Sequence, residues 1–149
     1  MNASFRLRLY SPADFETLYQ LDQACYPTGI AYSRRTLRGY LAMPGAECLI
    51  AEAAGEIAGF ILTEAEEQQA QIITIDVLEA LRRKGRGKAL LLEAEKRLAA
   101  RGVRQVHLET AHDNVAAIAF WKKHGYRTRG VLRGYYLGRT DAFSMVKDL

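Results

Sequence analysis

The chain has 149 residues, 49% of them hydrophobic, with a formal net charge of +4 and a pI near 9.2. That size suits one domain with a single substantial core, so the expected organisation is one domain over residues 1–149. No apolar run has transmembrane length, MNASFRLRLYSPADF lacks the apolar middle and cleavage site of a secretory signal, and Cys25 and Cys48 stand in no C-x-x-C or Cys/His ligand spacing. Membrane, secreted, disulfide-scaffold and zinc classes are therefore set aside, and a cytoplasmic protein with reduced, buried cysteines and no metal is expected.

Hydrophobic periodicity gives a mixed α/β order without repeats or an obvious linker. FRLRLY (5–10) alternates as a strand. Ser11 and Pro12 read as an N-cap and first helical residue, followed by a helix with Phe15, Leu18, Tyr19 and Cys25 on one face. A short second helix is expected in SRRTLRGYLA, capped by Ser33. ECLIAEA and EIAGFILTEA, separated by Ala54-Gly55, read as a β-hairpin, with the acidic EAEEQQ as its exit loop. AQIITIDV (70–77) alternates, with Ile73, Ile75 and Val77 on one face and Ile72, Thr74 and Asp76 on the other. From Arg86 to Arg101, Leu90, Leu91, Ala94 and Leu98 form an apolar helical stripe that Gly102 ends. VRQVHLET (103–110) is the next strand, giving a right-handed βαβ unit with parallel strands. A short helix from about Asn114 to His124 and two closing antiparallel strands complete the chain.

The positive charge is local. Residues 82–104 carry nine Lys or Arg against Glu93 and Glu95, so the rest of the chain is net acidic. Without a reading helix or a set of stacking aromatics this does not suit nucleic acid, and a compact polyanion fits better. The cluster begins in LRRKGRGKALL (81–91), where two glycines between a strand and a helix allow backbone N–H groups to approach an anion at the helix N-terminus. The phosphate loop G-x-x-x-x-G-K-[ST] fails, because Arg82 replaces its first glycine and Ala89 its hydroxyl; the dinucleotide fingerprint G-x-G-x-x-G fails at Leu90.

What remains is Arg82-x-x-Gly85-x-Gly87 after IITIDV and before an amphipathic helix. This resembles the [Gln/Arg]-x-x-Gly-x-[Gly/Ala] signature of the GNAT family of N-acetyltransferases, and the order of elements is similar over nearly the whole chain. NVAAIAFWKKHGYRTRG and RGYYLGRTDAFSM look most like the ribosomal-protein-alanine N-acetyltransferases, with Asn114, Ala117, Ile118, Gly125, Tyr135-Tyr136 and Asp141-Ala142 on that pattern. The resemblance implies an α/β fold with a central mixed sheet of about seven strands and four helices, and acetyl-CoA as co-substrate. It implies that main-chain groups of Ile75 and Val77 bond the pantetheine arm. Arg82, Arg83, Lys84, Gly85, Arg86, Gly87 and Lys88 would surround the diphosphate, with Asn114 and Ala117 contacting the cofactor from the next helix. Asn114 also has the commoner role of a helix cap open to it.

Acetyl transfer needs a neutral amine, a donor for the developing oxyanion and a proton for the departing thiolate. Glu109 matches the family's catalytic glutamate, and alternation sets it with Gln105 and His107, opposite Val106 and Leu108. Where the family has a tyrosine as general acid, this chain has Trp121. Tyr126, Tyr135 or Tyr136 could supply the proton, the thiolate could leave without one, and Trp121 either donates to the sulfur or fills the core. The acceptor is a protein N-terminus or a small amine such as a polyamine, amino acid or aminoglycoside; a non-catalytic acyl-CoA-binding module is the other reading. Nucleic acid and membrane are not expected as partners, and the chain is expected as a monomer or weak homodimer.

Overall fold

The computed structural model describes residues 5–78 and 85–149. Seven strands form one twisted sheet: β1 (Arg6–Leu9), β2 (Ala46–Ala53), β3 (Glu56–Glu66), β4 (Gln69–Val77), β5 (Gln105–Ala111), β6 (Arg127–Tyr136) and β7 (Thr140–Asp148). Their order is β1-β2-β3-β4-β5-β7-β6, and every neighbouring pair is antiparallel except β4 with β5. Helices α1 (Phe15–Cys25), α2 (Arg34–Leu41), α3 (Arg86–Ala100) and α4 (Val115–Lys123) cover the sheet. None of the described helices is long and apolar enough to cross a membrane.

The core divides into two clusters, one on each face. Leu90, Leu91, Ala94 and Leu98 of α3 pack on Leu49, Ile61, Ile72, Val106 and Leu108. On the other face, Phe15, Leu18 and Leu21 of α1 and Leu37 of α2 pack on Cys48, Ile50, Phe60 and Leu62. Both helix stripes are those the 3.6-residue period marks out. Ser33 caps α2 by accepting from the Thr36 N–H at 3.1 Å, and Gly102, at φ +91°, follows the last turn of α3 in the left-handed conformation that suits glycine.

Four expectations are corrected. Pro12–Asp14 form a 3-10 turn before α1, which starts at Phe15; the Asp14 carboxylate accepts from the Ser11 N–H at 2.8 Å and holds that entry. The acidic stretch is not an exit loop: β3 runs to Glu66, β4 starts at Gln69, and only Glu67 and Gln68 turn the chain, Glu67 with φ +56°. The alternation of β4 breaks at Ile73, because Leu62 pairs with Thr74 and Thr63 with Ile72. This bulge puts Ile72, Ile75 and Val77 together against the α3 cluster and Ile73 against the α1 cluster. Finally, Cys48 is buried but Cys25 is only partly so, and neither is in a disulfide.

Candidate active site

The parallel pairing of β4 and β5 is short. Gln69, Ala70 and Gln71 face Gln105, Val106 and His107, and beyond that rung the two strands part. The second half of β4 thus has no strand beside it on that edge among the described residues, and its carbonyl groups need other donors. Side chains from the α1–α2 region supply them. The Tyr26 hydroxyl donates to the Ile75 carbonyl at 2.9 Å, that of Tyr32 to Ile73 at 3.2 Å, and the Cys25 thiol to Val77 at 3.6 Å. Burial raises the Tyr26 phenol well above its ordinary range, the buried Asp76 charge adding to it, and burial raises Tyr32 likewise. Both stay protonated donors. Asp22, fully buried on the sheet side of α1, accepts from the Tyr32 N–H at 2.7 Å and so fixes the loop that carries these tyrosines.

Glu109 stands on β5 just past the last parallel rung. Its Oε1 accepts from Gln71 Nε2 at 3.0 Å and from the Tyr135 hydroxyl at 3.3 Å. Burial, then the charge and hydrogen bond of Glu109, raise the Tyr135 phenol. Tyr135 packs edge-on to Tyr136 with ring centres 4.9 Å apart, so the tyrosine pair and the carboxylate form one group at the mouth of the split. His107 lies on the same face of β5 two residues earlier, as alternation requires.

At the other end of the split, α3 begins at Gly85, which has φ +82°. A Cβ built there would meet nothing within 4 Å among the described residues, which leave the space over the first turn open. A Cβ on Gly87 would lie 3.5 Å from the Phe120 ring of α4 and 3.8 Å from Val77 Cγ2, which brings the start of α3, α4 and the end of β4 together. Lys88 is exposed. Arg86 is not: it is 3% exposed, its guanidinium lies 5.4 Å from the Phe5 ring, and its Nε and Nη1 have no hydrogen-bond partner among the described residues. Its side chain is turned into the protein, leaving its main-chain N–H for the helix terminus. The main-chain N–H groups of a helix N-terminus at a glycine suit a phosphate group. Arg82, Arg83 and Lys84 lie outside the described residues.

Asn114 caps α4, its side-chain oxygen accepting from the Ala117 N–H at 3.2 Å. Trp121 and Tyr126 are not gathered at the split. Trp121 is 5% exposed and makes edge contacts with Phe120 and Tyr126 at 5.1 and 5.3 Å. Tyr126, 3% exposed, donates to Glu95 Oε2 at 2.8 Å, while Lys147 Nζ holds Oε1 of that carboxylate at 2.9 Å. Burial, and then the Glu95 charge, drive this phenol far up.

A model of the acetyltransferase (GNAT) family matches residues 15–126. The chain belongs to the GNAT family of acetyltransferases. The N-alpha-acetyltransferase of Sulfurisphaera tokodaii is 28% identical over 97% of this chain and 93% of its own length. The crystal structure of the ribosomal-protein-S18-alanine N-acetyltransferase from Escherichia coli superposes with a TM-score of 0.88 at 26% identity, covering 97% of this chain and 94% of that one. Two other matches are partial: the chain spans 44% of YxbD and 62% of the N-acetyltransferase YvbK, both of Bacillus subtilis. The fold expected from the phosphate-loop resemblance is the fold found. The hydrogen bonds of Gln71, Tyr26, Tyr32 and Cys25 carry no sequence motif, because each acts across the sheet.

Proposed function

We propose that this protein transfers an acetyl group from acetyl-CoA to a primary amine, with a protein N-terminal α-amino group as the acceptor. The observation that carries the reading is the split between β4 and β5, with a half-buried carboxylate, Glu109, at one end and the open glycine start of α3 at the other. In this reading the main-chain N–H groups of Gly85, Arg86 and Gly87, with Lys88, receive the diphosphate, and Arg82, Arg83 and Lys84 add charge. The pantetheine runs along the edge of β4 at Ile75 and Val77, past Asn114 and Ala117. The carbonyls of Ile75 and Val77 already accept from Tyr26 and Cys25, so the edge is fixed before any ligand arrives.

The amine lone pair attacks the thioester carbonyl carbon, a C–N bond forms, and the C–S bond breaks to release the thiolate. The proton shed by nitrogen passes to Glu109. An α-amino group has an ordinary pKa near 8 and a lysine about 10.4, so an N-terminus asks much less of this base. The names of the Sulfurisphaera and Escherichia coli relatives agree with that acceptor class. The test is a melting-temperature shift with acetyl-CoA and with CoA, followed by acetylation of a panel of N-terminal peptides against polyamines, amino acids and aminoglycosides. A shift and preferential turnover of peptides is expected. No shift at millimolar ligand would remove the reading, and turnover of small amines alone would remove the N-terminal acceptor.

A further inference from the structure

We infer that Gln71 is the positioning residue of the base: together with Tyr135 it fixes Oε1 of Glu109 and leaves Oε2 to meet the acceptor amine. The inference rests on the proposed role of Glu109 and adds a residue that the family signature does not point to. Gln71 is the last residue of β4 in register with β5, opposite His107, and so stands where the split opens. Glu109 is two residues further along β5, where no β4 residue pairs with it. The Gln71 side chain crosses the opening and donates from Nε2 to Glu109 Oε1 at 3.0 Å. Tyr135 donates to the same oxygen at 3.3 Å from β6, and no described residue donates to Oε2.

Two donors on one oxygen hold the carboxylate plane without engaging the other oxygen. A glutamate on a strand otherwise loses rotamer freedom each time it meets its substrate. A neutral amide suits the task better than a cation, because Lys or Arg at 3 Å would stabilise the charged carboxylate more strongly and weaken it as a base. The other polar groups facing Glu109 are His107 on its own strand, Tyr135 and Tyr136 at the end of β6, and Ser144 opposite it on β7, which accepts from Arg129 at 3.3 Å. None of these changes when Gln71 does. The competing interpretation is a plain tie between two strands at the point where they separate, which would support stability and leave turnover alone.

Gln71→Met keeps length and volume and removes the donor, and Gln71→Glu keeps shape and puts a like charge beside Glu109. The readouts are the titration of the Glu109 carboxyl carbon, followed by NMR with labelled glutamate and assigned with Glu109→Gln, and the acidic limb of kcat/KM. With Met both should move upward by about 0.5–1 pH unit, and with Glu by more than about 1 unit, with CoA affinity unchanged. At neutral pH kcat/KM should fall about tenfold for Met. A kcat/KM at neutral pH that stays within about twofold of wild type in Gln71→Met, whatever happens to the titration or the melting temperature, would overturn the inference and make the contact a strand tie. Absence of turnover in the wild type with every amine is a separate result: it removes the proposed function, which the titration does not measure.

Discussion

Replacing Tyr126 by Phe separates a structural phenol from a catalytic one. The hydroxyl donates to Glu95 Oε2 at 2.8 Å in a buried setting, a hydrogen bond to a charged acceptor, which is worth about 1.5–3 kcal/mol. Lys147 Nζ reaches both carboxylate oxygens, at 2.9 and 3.1 Å, so Glu95 is not left unpaired. The ring keeps its edge contact with Trp121 at 5.3 Å and its place beneath Lys147 at 5.6 Å. The lower end of the range therefore applies, about 1.5 kcal/mol, which for a chain of this size lowers the melting temperature by about 3–6 °C. Differential scanning calorimetry measures this, and steady-state kinetics on the same samples should give kcat within about twofold of wild type. If Tyr126→Phe keeps its melting temperature and loses about tenfold or more in kcat, the hydroxyl protonates the leaving thiolate and the reasoning from its Glu95 contact is refuted.

Glu109→Gln should lower kcat/KM by about 10²–10⁴ while the CoA-induced melting shift persists, and the deficit should shrink at high pH as the amine deprotonates unaided; a pH-independent deficit in rate assays would make Glu109 a positioning group. Gly85→Val should weaken CoA binding by calorimetric titration, because φ +82° strains a branched side chain and its Cβ enters the open space over α3, whereas Gly87→Ala should bind nearly normally, its Cβ meeting only ordinary contacts at 3.5 Å; equal affinity for both would misplace the phosphate end. Stability should fall below about pH 4.5 and above about pH 10. In acid the Arg-paired Asp14, Glu47 and Glu52, whose folded pKa values are lowered, lose stabilisation as pH drops through those values; in alkali the raised phenols of Tyr26, Tyr32 and Tyr126 favour the unfolded state, which ionises first. Melting curves across pH test both limbs. Trp121→Tyr should not raise kcat above Trp121→Phe, and both should melt lower than wild type, since the indole fills the core; a Tyr-specific gain would place position 121 at the sulfur.

The parts of the fold legible in the sequence are those that local chemistry dictates. Ala54-Gly55 turns the β2–β3 hairpin because both residues take positive φ, at 53° and 79°, and the α3 stripe follows from its 3.6-residue period. Composition misled at Glu64–Glu66, where the outer rungs of a hairpin are solvated and need no apolar side chains to remain strand. The bulge at Ile73 left no trace because Ile72-Ile73-Thr74-Ile75 reads as a plausible strand in either phase, and the register of β3 selects between them. At the site, Glu109 and Asn114 could be placed on their elements from alternation and capping. Gln71, Tyr26 and Tyr32 could not, since they act over 38, 49 and 41 residues of sequence separation. Asp22 carries no such local signal either: it is buried on α1, where the Tyr32 N–H comes back to meet it.

The same reasoning bears on the departing thiolate. Of the groups that could give it a proton, Tyr126 has its hydroxyl on Glu95, Tyr135 has its hydroxyl on Glu109, and Trp121 is an indole held between Phe120 and Tyr126. Burial moves both phenols upward, away from the range in which a phenol yields a proton easily. A thiol of ordinary pKa near 8.5 lies only about 1.5 units above neutral pH, so its anion is a tolerable leaving group without help. Proton removal from the amine is the harder transfer. With Glu109 as the proposed base, a chain with Trp121 where its family has a tyrosine depends the more on how that base is held, and the proposal places the demand on Gln71, Tyr135 and the rung where β4 and β5 part.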